Sequence, residues 1–298
     1  MVTDQPGSGS GGSGSGSGSM VRRILLGSQL RRLREAKAIT REAAGYSIRA
    51  SESKISRMEL GRVSFKERDV ADLLTLYGIN DPYERDALLG LVREANIAGW
   101  WHGYGDVLPQ WFQTYIGLEE SASVIRIFDV QFIPGLLQTE EYTRAICSLG
   151  HPAGTTEEIE RRVEMRRERQ KLLVSERAPR ILAVVDEVAM RRRIAGPRGM
   201  RAQLEYLLEI SERPNVTLHV LPLEFTGYPA AGGYPFTMLS FPEPDIGDVV
   251  YVEQLTGAMY IDKREETAQY GKAMEKLCSD SLTPAKTVER LRNILRDT

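Results

Sequence analysis

Cysteine is nearly missing from this 298-residue chain: only Cys147 and Cys278 occur, far apart and with no CxxC partner. That excludes a disulfide framework or a structural zinc site, fits a reducing compartment, and leaves both thiols as small buried or half-buried hydrophobes. Histidine is almost as scarce, with His102, His151 and His219 standing at no metal-ligand spacing. GxSxG, phosphate-loop and HExxH patterns are all absent, so the chain reads as a non-enzyme without metal or cofactor. Asp186 and Glu187 are adjacent carboxylates at a strand end, better explained by helix capping than by acid-base chemistry. No apolar run reaches the length of a membrane span, and the Gly- and Ser-rich opening lacks the basic and apolar regions of a signal peptide. The expectation is a cytoplasmic protein with no membrane partner.

What is present is unevenly charged. The net charge is −2, yet residues 21–79 hold 13 Lys and Arg against 7 Asp and Glu, a surplus of six. A basic block on an otherwise acidic chain points to a polyanionic partner at one end only. Ahead of it, residues 1–19 read as a synthetic addition, MVTDQP followed by a Gly/Ser linker and then by Met20. Two readings stay open: a cloning scar, or a ligand peptide tethered in cis at high effective concentration.

Residues 21–37 form an amphipathic helix with Ile24, Leu26, Leu30 and Leu33 on one side and arginines on the others. Thr40 caps a short second helix over 41–47, where Gly45 lets helices approach closely. Ser51 caps a third, SESKISRMEL, which closes at Gly61. Residues 65–77 and 82–98 supply two more helices. The second of these, with Leu88, Leu89, Leu91 and Val92, is apolar enough for a dimer seam or a link into the second domain.

The set Leu30, Leu33, Arg34, Gly45, Ser51, Ser53, Lys54, Ile55, Ser56, Arg57, Glu59, Gly61 and Arg62, containing SxSKISRxExG, resembles the Cro/C1-type (XRE) helix-turn-helix class. The resemblance implies a sequence-specific transcriptional regulator that binds double-stranded DNA as a homodimer, with the third helix in the major groove. Glu52, Ser53 and Lys54 would face bases, Arg41, Ser51, Arg57 and Arg62 would hold phosphates, and Ile55 and Met58 would point inward. Arg49 stands at the turn where that class usually has Gly.

From residue 99 the composition changes. Trp100, Trp101, Tyr104, Trp111, Phe112 and Tyr115 crowd into a short stretch, as packing or as the lining of a peptide or small-molecule groove. A strand, a Pro134-Gly135 turn and a helix from about Thr139 come next. The aromatic segment and the IPGLLQT segment with Gln138 are the candidate ligand-binding residues. The segments WWHGYGDVLPQWFQTYIGLE, FIPGLLQTEEY, VVDEVAMRR, RPNVTLHVLP and VVYVEQLTGAMYI resemble, as a set, the domain of unknown function that accompanies this helix-turn-helix in many antitoxin-like actinobacterial regulators. That resemblance brings no established chemistry and implies a physical partnership with small neighbouring proteins. Taken with the MVTDQP segment and the aromatic stretch, the expectation is a sensor of a short peptide or small-protein tail, the alternatives being an antitoxin-like protein that sequesters a small partner or a small-molecule sensor.

Residues 155–173 read as a long helix whose arginines lie on a solvated, salt-bridged face. Residues 226–235, with Gly232-Gly233, read as a loop, a lid over a groove. The fold class expected is α+β overall: an all-α five-helix domain over 20–98, then a mixed α/β sheet domain with C-terminal helices over 99–298.

Overall fold

The computed structural model describes residues 19–225, 234–244 and 246–298, with side chains from Arg22 onward. The MVTDQP segment and the Gly232-Gly233 loop lie outside the described residues. The chain divides into two compact units between His102 and Gly103.

The first unit holds five α-helices: α1 (Ser19–Ala36), α2 (Arg41–Ser47), α3 (Glu52–Glu59), α4 (Glu67–Leu76) and α5 (Pro82–Ala95). Their starts arise from local chemistry. Thr40 Oγ1 accepts from Ala43 N (3.1 Å), Ser51 Oγ from Lys54 N (3.2 Å) and Asp81 Oδ1 from Glu84 N (2.9 Å), with Pro82 in the first turn. The apolar stripes converge on one core, in which Leu26, Leu30, Ile55, Met58, Leu73 and Val92 are buried. Two glycines set the spacing. A Cβ on Gly45 would lie 2.7 Å from the Ala50 carbonyl oxygen, and one on Gly27 would lie 2.7 Å from that of Glu59. The α1 glycine therefore lets α1 press against the end of α3. Arg49 has φ +54°, so the turn adopts the left-handed conformation that a glycine would hold more easily.

The second unit is a six-stranded sheet with helices. In chain order it runs α6 (Gln110–Ser121), β1 (Val124–Asp129), α7 (Glu140–Gly150), α8 (Thr156–Gln170), β2 (Arg180–Asp186), α9 (Glu187–Arg191), α10 (Gly196–Ile210), β3 (Val216–Leu221), β4 (Phe236–Ser240), β5 (Val249–Gln254), β6 (Gly257–Ile261), α11 (Arg264–Asp280) and α12 (Pro284–Arg296). The spatial order is β3-β2-β1-β4-β5-β6. The β3, β2 and β1 strands are mutually parallel, and β4, β5 and β6 add antiparallel. The α11 residues Met274 and Leu277 pack with Phe128, Val184, Phe236 and Val250 in one core cluster. Asp186 caps α9 through Val188 N (2.8 Å), as its position at a strand end implies. His219 is satisfied by the Leu282 carbonyl (2.9 Å).

One expectation fails. The arginines of α8 do not all lie on a solvated face, because Arg169 is buried, with Arg162 and Arg166 part-buried. Charge counts along a helix cannot tell which face meets a buried acid, and here Glu119 of α6 waits opposite Arg169.

Candidate functional site

The third helix is held from behind by a buried ion cluster. Glu59, at its last turn, accepts from Arg34 Nε of α1 (2.5 Å) and Arg41 Nε of α2 (3.0 Å), and Arg34 Nη1 also reaches the Ile39 carbonyl (2.8 Å). The side chains of Arg34 and Glu59 are only 8% and 3% exposed, so α1 and α3 are joined through charges removed from water, and α2 adds Arg41 from the part-exposed side. The carboxylate hydrogen bond raises the Arg34 pKa despite the opposing desolvation. Glu59 was legible only as a motif position; its partners were not.

Of the candidate DNA-binding residues, Ser51, Glu52, Ser53 and Arg57 are exposed on α3 and its cap. Arg57 Nε donates to the Ser53 carbonyl (3.3 Å), and the Ser51 and Ser53 hydroxyls are 2.9 Å apart. Ile55 and Met58 point into the core. Lys54 is half-buried, its ammonium 2.7 Å from Asp69 Oδ2 on α4. Arg41 is half-buried on Glu59, and Arg62 is half-buried and engaged. Sequence reasoning missed Tyr46, which is 88% exposed on α2, and the Asp69 tether of Lys54. A tyrosine one helical turn from Arg49 was a readable signal; a carboxylate fifteen residues downstream was not.

The six candidate ligand residues separate between the units. Trp100 and Trp101 belong to the first and Tyr104, Trp111, Tyr115 and Gln138 to the second. The Trp101 ring is buried, folded over Gly99 and edge-on to Trp100 (5.9 Å). Tyr104 lies under the Arg161 guanidinium (4.9 Å). Trp111 meets Phe112 edge-on (5.7 Å), and its carbonyl receives the Tyr260 hydroxyl (2.5 Å).

Tyr115 and Gln138 are interior groups with full sets of partners. Tyr115 donates to Glu119 (2.7 Å), stacks on Phe112 and leans on Tyr251 (4.2 Å between centroids). Burial first, and the neighbouring Glu119 charge second, push its phenol well above the ordinary range. Gln138 donates to the Ile133 carbonyl (2.7 Å) and accepts from Thr143 (3.1 Å) and Arg166 (2.5 Å). Among the described residues no group of three His, Cys, Asp or Glu side chains is placed to hold a metal ion, and no helix is long and apolar enough to cross a membrane.

Comparison with known proteins agrees with this division of the chain. Residues 25–88 match a helix-turn-helix domain, of the XRE type, and residues 112–293 match the domain of unknown function DUF5753. No curated protein and no solved structure matches the chain. A helix-turn-helix with an exposed third-helix face marks a DNA-binding regulator, and with the second match spanning most of its length the chain belongs to the DUF5753 family.

Proposed function

We propose that this regulator binds DNA as a homodimer through α3 and that its second unit senses a short peptide or small-protein tail, acting by binding rather than catalysis. The observation that supports DNA reading is the exposed row Glu52, Ser53 and Arg57 on a helix fixed from behind by Glu59. The sensing role draws its support from the sequence: MVTDQP joined by a Gly/Ser linker to Met20 reads as a tethered ligand. A ligand shifts DNA affinity only by binding the two arrangements differently.

A second reading, capture of a small partner protein in antitoxin fashion, draws support from the β5–β6 hairpin. Leu255 is 100% exposed there and Met259 is 44% exposed on the edge strand.

Operator selection followed by titration of the chain from Met20, with and without free MVTDQP, tests the proposal. A change in operator affinity of about fivefold or more, the low end of ordinary coupling, supports peptide sensing. An unchanged affinity and assembly state refutes it and leaves the capture reading.

A further inference from the structure

One face of α8 carries three arginines in a row. Arg162, Arg166 and Arg169 stand at i, i+4 and i+7, the spacing at which helical side chains line up. Arg162 Nη1 donates to the Val107 carbonyl (2.5 Å), Arg166 Nη1 to Gln138 Oε1 (2.5 Å) and Arg169 Nη2 to Glu119 Oε1 (2.7 Å).

Charge does not balance along this row. Glu119 pairs with Arg169, whereas neither Arg162 nor Arg166 makes an ion pair among the described residues. The Nε atoms of Arg162 and Arg166 are both buried with no hydrogen-bond partner. Desolvation, and then the charge of Arg169, lower the Arg166 pKa. Two guanidiniums held partly out of water, without a carboxylate and with acceptors missing, are costly as they stand. An anion that reached them would offset that cost.

The IPGLLQT segment leaves room for one. Gly135 does not have a left-handed φ, so the turn has no need of glycine's conformational freedom; what the glycine leaves is space. A Cβ there would have guanidinium atoms as its nearest neighbours, Arg169 Nη1 at 3.1 Å and Arg166 Cζ and Nη1 at 3.6 Å. Arg169 Nη1 makes no hydrogen bond among the described residues, because the Glu119 pair uses Nε and Nη2. Gln170 Nε2 fixes the segment by donating to the Gly135 (3.1 Å) and Gln138 (2.7 Å) carbonyls. Two guanidiniums therefore converge on one point, and Gly135, Arg162 and Arg166 are only half-buried, so that point is open to approach from solvent. The opposite face of α8 has the other sign: an open hollow of about 420 Å³ there is lined by Glu140, Glu157, Glu160 and Glu164 among others, and repels the anion that the arginine row attracts.

We propose that Gly135, Arg166 and Arg169, with Arg162 one turn away, form the receptor for one carboxylate side chain of a short peptide, the chemistry that Asp4 carries in MVTDQP. Asp4 is the one ionisable side chain of that segment, so charge complementarity selects it. The proposal names the contact through which the sensing role proposed above works, and rests on that role for the choice of a peptide over a free carboxylate or phosphate.

Calorimetric titration tests it, with the full chain carrying Asp4→Asn as receptor so that its own segment no longer offers the carboxylate. The probe is free C-amidated MVTDQP, whose only carboxylate is that of Asp4. It is expected to bind with Kd below about 1 mM, and the Asp4→Asn peptide about tenfold or more weakly. Arg166→Gln in the receptor is expected to weaken MVTDQP by a similar factor while the melting temperature holds or rises, since a charge without a counterion leaves the interior; a merely structural arginine would lower it. Gly135→Ala, which sets a methyl between the guanidiniums without asking for a new φ, is expected to weaken the peptide likewise. No saturable binding of MVTDQP, equal binding of the Asp4→Asn peptide, binding indifferent to both receptor variants, or acetate or phosphate binding as tightly as MVTDQP overturns the site. A peptide that shifts operator affinity while ignoring Asp4→Asn and Arg166→Gln overturns the site and leaves the sensing role standing. Binding that depends on Asp4 and Arg166 but leaves operator affinity unchanged upholds the site and overturns the sensing role.

Discussion

Lys54 Nζ lies 2.7 Å from Asp69 Oδ2, tying the third helix to the fourth. The ammonium at the third position of α3 is therefore held against the protein, half-exposed, while Glu52, Ser53 and Arg57 are open beside it. If α3 reads DNA as proposed, DNA would compete with Asp69 for this cation. Asp69→Asn removes the competitor. Half-exposed pairs of this kind contribute at most about 1 kcal/mol to stability, so the fold is expected to hold. The slope of log affinity against log salt is expected to steepen by about one as the released Lys54 charge enters the groove and displaces one more counterion. An unchanged slope on titrating DNA from low to high salt would show that Lys54 never leaves Asp69.

The Glu59 cluster carries a larger stake. Glu59→Ala leaves the Arg34 guanidinium, with its side chain 8% exposed, with only the Glu35 carboxylate at 3.3 Å. Breaking a buried pair from one side costs about 3–5 kcal/mol. The first unit is expected to melt at a clearly lower temperature in calorimetry and DNA binding to vanish with it. A variant with unaltered melting would mean that water already reaches the pair.

Two glycine substitutions are expected to act in opposite directions. Gly27→Ala drives a methyl into the backbone of Met58 and Glu59, and overpacking of that kind costs about 1–3 kcal/mol. Gly90, inside α5, has nothing within 4 Å of a Cβ, so Gly90→Ala is expected to stabilise by about 0.5–1 kcal/mol through helix propensity. Denaturant midpoints of the two variants should move apart; movement in the same direction would contradict the crossing of α1 over α3.

Asp129 makes the second unit sensitive to pH. Its pKa rises from 3.8 to about 6 on folding, chiefly through desolvation, so the folded state favours the protonated acid. Its contribution to stability is full below about pH 4 and is lost as the pH rises through about 6. With each pKa unit worth about 1.4 kcal/mol, Asp129→Asn is expected to stabilise by about 1–3 kcal/mol at pH 7.5 and by almost nothing at pH 3.5. Equal effects at both pH values, in denaturant melts, would place Asp129 in water.

The sequence was legible where chemistry is local. Thr40, Ser51 and Asp186 each cap the helix assigned to them, and α7 does begin beside Thr139. Gly45 does meet a neighbouring backbone closely, at the turn into α3. What stayed hidden was pairing at a distance. Nothing in the composition of residues 155–173 says that Arg169 meets Glu119 fifty residues earlier, or that Lys54 meets Asp69. The aromatic segment shows the same limit: Tyr115 is interior and hydrogen-bonded, a fact set by Glu119 one helical turn away and by Tyr251 on β5. The helix α6 itself went unread, since Trp, Phe and Tyr in close succession obscure helical spacing.

The place of β1 at the middle of the sheet also bears on the ribosome. Ile125 pairs with Ile181 on one side and with Leu239 on the other, so the sheet cannot close until more than a hundred residues beyond β1 have been synthesised. The helical unit before Gly103 is made of near neighbours and needs no such wait, and domains of that kind fold early while long-range strand pairing is slow. During each round of translation, therefore, a nascent chain is expected to carry a finished helix-turn-helix unit before the sheet domain exists.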